Sequence, residues 1–262
     1  MDLKLAESYY FAFMLSLPRM YAAFAVMTFL SKQVVTGTLI RNGLVLSLAL
    51  FLLPILDHNL GGFKALSSAQ MTIIIAKEIA LGFLVGYIAN MPLWAITAIG
   101  EMIDNQRGAT IMESLNFLTS SQGSPLGNVL NQAGVTIFMI SGAFLLFFKG
   151  MVVSYTAWPV QTFLPTFDME MVHYFVGQFQ YLIEMICLLG GPVIVVLYLS
   201  DIGLALMSRF APQLNVFILS LSIKSALALA ILAVYFTVIV DFFQGMFLHI
   251  DETVGQIFGL MQ

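Results

Sequence analysis

The chain has 262 residues, of which 60% are hydrophobic and 9% charged, against roughly 25% charged in an ordinary soluble domain. A formal net charge of −4 without a basic run excludes a surface built to neutralise a nucleic-acid backbone. The single cysteine, Cys187, excludes an internal disulfide and a cysteine metal cluster, and its apolar run, 183–189, predicts plain packing.

One span of a bilayer takes about 20 apolar residues, so the length predicts about six spans and no separate soluble domain. Long apolar runs occur at 9–30, 43–56, 71–93, 129–157, 181–207 and 216–245. The first is interrupted by Pro18 and Arg19 and the second is short, so these two are expected to form a bent hairpin, and five crossings remain open. Asp2, Lys4 and Glu7 precede the first run, a pattern unlike a cleavable leader. Lys32, Arg41, Arg107 and Arg209 on one side, against Lys4 and Lys64 on the other, favour an external N-terminus.

The longest and most polar connection is 92–128, where function is expected. Apolar residues at helical spacing over 94–118 predict that part of it is amphipathic helix. Within it Glu101, Asp104 and Arg107 are three residues apart and share a helix face, as an internal ion ladder or as a solvated face. Small residues recur at Gly82 and Gly86, and at Gly255 and Gly259, a spacing that permits close helix contact. The triplet Gly190-Gly191-Pro192 predicts a kink in the fifth run.

Lys77, Glu78, Glu184, Asp201, Lys224 and Asp241 lie in apolar runs and each needs a partner. If the last two runs form a hairpin turning near 211–212, Asp201 and Lys224 come within about 3 Å of one axial level, which predicts an ion pair. It is either structural, setting the register, or a relay. The same hairpin puts Asp241 about 28 Å from the level of Asp201, which excludes an aspartyl protease dyad. His58, His173 and His249 are scattered, and no serine elbow, zinc motif or phosphate loop is present, so no catalytic constellation, metal site or cofactor site is predicted.

Two stretches are more particular. One reads Gly100-Glu101-Met102-Ile103-Asp104-Asn105-Gln106-Arg107-Gly108-Ala109, followed by Ser124-Pro125-Leu126-Gly127 and Gln132. The other reads Phe210-Ala211-Pro212-Gln213-Leu214-Asn215-Val216-Phe217, followed by Ile223-Lys224-Ser225. In this order and spacing they resemble the T subunit of type III secretion export gates, the virulence counterpart of the flagellar FliR proteins, over nearly the whole chain. The charged string and the Ser-Pro-Leu-Gly turn look like the virulence branch, with the flagellar branch as the alternative.

The resemblance implies an all-α, polytopic, non-enzymatic inner-membrane protein. One T subunit would join five R and four S subunits, with the U switch protein nearby, in a helical pore for unfolded secreted proteins. It also implies that much of the assembly is lifted out of the membrane plane. Residues 1–180 would be R-like, with a plug loop at 100–128; 181–245 would be an S-like hairpin and 246–262 a tail. Glu101, Asp104, Arg107, Gly108, Met112, Asn116, Ser124 and Pro125 are the candidate plug residues. Pro212, Gln213, Leu214 and Asn215 are candidates for the turn, as a subunit contact or a self-contained hairpin. The competing class, an autonomous secondary transporter, would need internal repeats with matching broken helices, and 190–192 has no evident counterpart.

Overall fold

The computed structural model describes residues 3–30, 37–52, 68–109, 124–160, 169–211, 213 and 215–260. Among them every regular element is helical: α1 (Leu3–Val26), a 3-10 turn (Thr28–Leu30), α2 (Thr38–Phe51), α3 (Ser68–Arg107), α4 (Pro125–Ile140), α5 (Ala143–Ala157), α6 (Met169–Phe210), α7 (Val216–Leu248) and α8 (Ile250–Leu260). An apolar chain that gives up water must close its backbone hydrogen bonds within each segment, and the helix does so.

The number of spans differs from the six expected. Three helices, 69–107, 173–210 and 216–256, are long and apolar enough to cross a membrane, or four if α4 and α5 count as one broken span. The first run yields a helix that continues through Pro18, and α2, at 14 residues, is shorter than a bilayer requires. Conversely, α3 has 40 residues and runs through Pro92 to Arg107, so the first half of the expected polar connection is helix. Its inward face is apolar: Ile96, Ile99 and Ile103 are fully buried. Likewise α6 stays helical through Gly190-Gly191-Pro192. A break between helices falls at Ser141-Gly142, where α4 and α5 meet at 70° and Gly142 takes φ +78°, a conformation open mainly to glycine.

The chain divides into two compact units, one of residues 1–91, 138–178 and 246–262, the other of 92–137 and 179–245. In the first unit α1 and α3 touch backbone to backbone. A Cβ on Gly82 would overlap the carbonyl of Arg19, and one on Gly86 would stand 2.5 Å from the carbonyl oxygen of Ala23. The pair expected from spacing alone thus meets α1 at two points one turn apart. That approach carries Arg19, with no exposed surface, onto Glu78, also unexposed. The two form a bidentate pair, Nε to Oε2 at 2.7 Å and Nη2 to Oε1 at 2.8 Å.

The remaining guanidinium protons go to the end of α5. Nη1 donates to Ser154 O (2.7 Å) and Oγ (3.2 Å), and Nη2 to Trp158 O (3.0 Å). Tyr155 lies under the guanidinium, 4.2 Å from ring centroid to Cζ, and its hydroxyl donates to Ser16 O at 2.7 Å. Lys77 Nζ sits 3.0 Å from Glu78 Oε1 and donates to Pro159 O and Val160 O. A cation pair at a helix C-terminus is favoured by the helix dipole and by carbonyls left without intrahelical donors. Beyond this cluster the unit is sealed by Phe24, Phe29, Phe138, Phe144, Phe147 and Phe247, in edge-to-face and stacked contacts, and by α8 laid on α5, with Val254 against Gly150.

Gly82→Ala is expected to lower stability by about 1–3 kcal/mol, the cost of overpacking. Gly191→Ala, with open space around it, should be neutral or slightly stabilising. Thermal midpoints of the purified chain in detergent compare the two.

Candidate functional site

The signature stretches of the sequence meet in the second unit, where α3 ends and α4 begins. Gly100 lets the two helices close: a Cβ there would stand 2.6 Å from Gly127 Cα and N. One turn further, Asp104, fully buried, is thereby brought to the first turn of α4. Its Oδ2 accepts the Ser124 hydroxyl and the Leu126 N–H at 2.8 Å, while Oδ1 accepts Arg107 Nε at 2.6 Å.

Ser124 in turn accepts the Gly127 N–H on its Oγ at 2.8 Å. The string Ser-Pro-Leu-Gly therefore has a physical reading residue by residue. Serine is the N-cap, and proline stands where no N–H is needed. Leucine gives its N–H to Asp104, and glycine both completes the cap and admits Gly100. A buried carboxylate at a helix N-terminus is also favoured by the dipole.

The end of α3 is held from the other side. Gly108, at φ +79°, turns the chain out of the helix, and Lys224 Nζ donates to Gln106 O at 3.2 Å. Lys224 Nζ also lies 2.6 Å from Asp201 Oδ1, and Arg107 Nη1 reaches Ser225 Oγ at 3.5 Å. One connected polar network thus joins the C-terminus of α3, the N-terminus of α4, α6 and α7.

The structure places the remaining candidates unevenly. Of the proposed ladder, Asp104 and Arg107 pair, while Glu101 is exposed and forms no ion pair among the described residues. Pro125 is exposed at the start of α4. Gln213 and Asn215 are exposed at the α6–α7 turn, and the Asn215 carbonyl accepts the Leu219 N–H as α7 starts. Met112, Asn116, Pro212 and Leu214 lie outside the described residues. Cys187 is exposed rather than packed. No group of three or more histidine, cysteine or acidic residues that could hold a metal occurs among the described residues.

Two features were not assembled from sequence. The sequence shows the Arg19–Glu78–Lys77 cluster only in parts, Arg19 as an interruption of the first apolar run and Lys77 and Glu78 as charges in need of partners. The other is the attachment of Lys224 to the end of α3. An arginine and an adjacent Lys-Glu pair in separate apolar runs were the available signal.

Asp104→Ala strands the Leu126 N–H, the Ser124 hydroxyl and Arg107 together. It is expected to cost about 2–3 kcal/mol, as for lost hydrogen bonds to a buried charged group. Asp104→Asn keeps an acceptor and should fall between Ala and wild type in thermal midpoint.

Residues 10–250 match the family described as bacterial export proteins, family 1. The Yop proteins translocation protein T of Yersinia pestis is 41% identical over 221 residues, covering 84% of each chain. The surface presentation of antigens protein SpaR of Salmonella typhimurium is 31% identical over 224 residues, covering 85% of this chain and 82% of that one. The flagellar biosynthetic protein FliR of Bacillus subtilis is 28% identical over 186 residues, covering 71% and 72%. With a family match over most of its length and these relatives, this helical membrane protein belongs to bacterial export protein family 1.

Proposed function

We propose that the chain is the T-type subunit of a type III secretion export gate in the bacterial inner membrane, a non-enzymatic part of a pore for unfolded secreted proteins. The observation that carries this reading is the 41% identity with a Yop translocation protein over 84% of both chains. The virulence branch is favoured over the flagellar one, whose FliR relative stands at 28% over a shorter stretch. Its partners are the R subunits, five of them, four S subunits, the nearby U protein, the exported chains and the lipid bilayer. Nucleic acid is not a partner.

Exposure supports a role inside an assembly. Only 28% of the apolar window of α6 and 22% of that of α7 is buried in the chain, so most of that surface is available to lipid or other subunits. Residues 181–245 act in this reading as the S-like hairpin, 1–180 as the R-like part, and 246–262 as the tail. The segment 100–128 acts as plug, with Glu101, Asp104, Arg107, Gly108, Met112, Asn116, Ser124 and Pro125. Asp104 supports that role, because it fastens the chain just before residues 110–123 to the chain just after them. The turn residues Pro212, Gln213, Leu214 and Asn215 contact a neighbouring subunit, and Asp201–Lys224 sets the hairpin register. Driving energy comes from partners or the proton gradient.

Co-expression with the other membrane components of the export apparatus, followed by affinity purification, tests this. A defined hetero-oligomer containing the chain is expected. A stable monomer that transports a small solute when reconstituted would sink it.

A further inference from the structure

The α6–α7 hairpin carries charge at two levels. At one, Asp201 and Lys224 neutralise each other. Glu184 lies 17 residues before Asp201 and Asp241 17 residues after Lys224, so both stand at one second level, about 25 Å away along the hairpin. Residues 185–200 and 225–240 between the levels contain no charged side chain. At this second level there are two acids and no base. Both are exposed; Glu184 accepts a hydrogen bond from Gln180 Nε2 at 2.7 Å, and Asp241 has no ion pair among the described residues.

The two carboxylates do not form a pair with each other. Over 17 residues each helix turns about 100° short of five whole turns, in the same sense. Side chains that meet across the hairpin at the first level therefore leave it on opposite faces at the second. Each face then presents one carboxylate among exposed apolar residues, Tyr181 and Leu188 beside Glu184, Val234 and Val238 near Asp241.

Glycines supply an independent observation. Gly191 is seven residues from Glu184 and Gly245 four from Asp241, so each lies within about 40° of its carboxylate around the helix. A Cβ added at either would meet nothing within 4 Å. In a helix interior glycine is less favourable than alanine. What these two provide is room for another backbone to approach, which fluid lipid chains do not require.

We infer that Glu184 and Asp241 are the acidic halves of two intermolecular ion contacts, each made with a lysine or arginine on a helix of a neighbouring subunit laid against one face of the hairpin. The inference rests on the gate reading and adds to it the chemistry of the partner: a helix with a basic side chain one or two turns from where it crosses a glycine. A carboxylate in apolar surroundings needs such a partner, and at an interface the pair fixes both identity and register.

The full chain is co-expressed with the other membrane components and purified by its tag, as wild type and as Glu184→Lys, Asp241→Lys, Gly191→Leu and Gly245→Leu. Thermal midpoints of each variant expressed alone are expected to fall little if at all below wild type, because Glu184 and Asp241 are exposed and a Cβ at Gly191 or Gly245 meets nothing within 4 Å. Recovery of complex is expected to fall about tenfold or more. In a Cys187→Ser background, Glu184→Cys and Asp241→Cys are labelled with a water-soluble maleimide. Labelling should drop at least about tenfold in the complex relative to the isolated chain. Wild-type recovery of the charge and glycine variants, or equal labelling in both states, as expected for side chains resting at a lipid headgroup boundary, overturns the inference while leaving the gate reading in place. Failure of wild type to co-purify removes both.

Discussion

A guanidinium with no exposed surface must find acceptors for five protons, and Arg19 finds all of them on α3 and at the end of α5. Desolvating such a charge is costly, and only complete pairing offsets it. The contact therefore dictates more than its own geometry. Arg19 can reach Glu78 because α1 and α3 touch at Gly82 and Gly86, and its hydrogen bonds to Ser154 and Trp158 fix where α5 stops. In an apolar setting, where helices gain little from burying one oily surface against another, such a contact sets register where packing alone would permit slippage.

The second unit applies the same physics with the sign reversed. There the buried group is a carboxylate, Asp104, and the helix end it satisfies is the N-terminus of α4. Lys224 supplies the matching cation at the C-terminus of α3. Both clusters connect helix termini, where backbone groups lack intrahelical partners, so an ionic side chain there serves as cap and as tether. The consequence is that the C-terminus of α3 and the N-terminus of α4 are held together by side chains rather than by apolar packing alone.

Legibility in the sequence followed the range of the interaction. The helical class follows from composition, and the Asp201–Lys224 pair follows from counting along a hairpin, because both depend on residues close in sequence or related by one turn. The role of Ser124-Pro125-Leu126-Gly127 was sensed as a signature, but its cause lies in Asp104, 20 residues away. Arg19 and Glu78 are 59 residues apart, and no period links them. Hydropathy registers apolar length: it marks α2, a 14-residue helix, as short for a crossing, but not that α3 passes without a break through Pro92 into polar sequence.

The central claim, that a fully paired buried charge holds α1 on α3, is tested most directly by a double-mutant cycle on Arg19→Met and Glu78→Met in the purified chain. Arg19→Met leaves Glu78 with Lys77 alone, and Glu78→Met takes the carboxylate from both cations; each is expected to cost about 3–5 kcal/mol. The double change should recover much of that loss, with a coupling energy of at least about 2 kcal/mol. Single effects that are small, or that simply add in the double variant, would contradict the account.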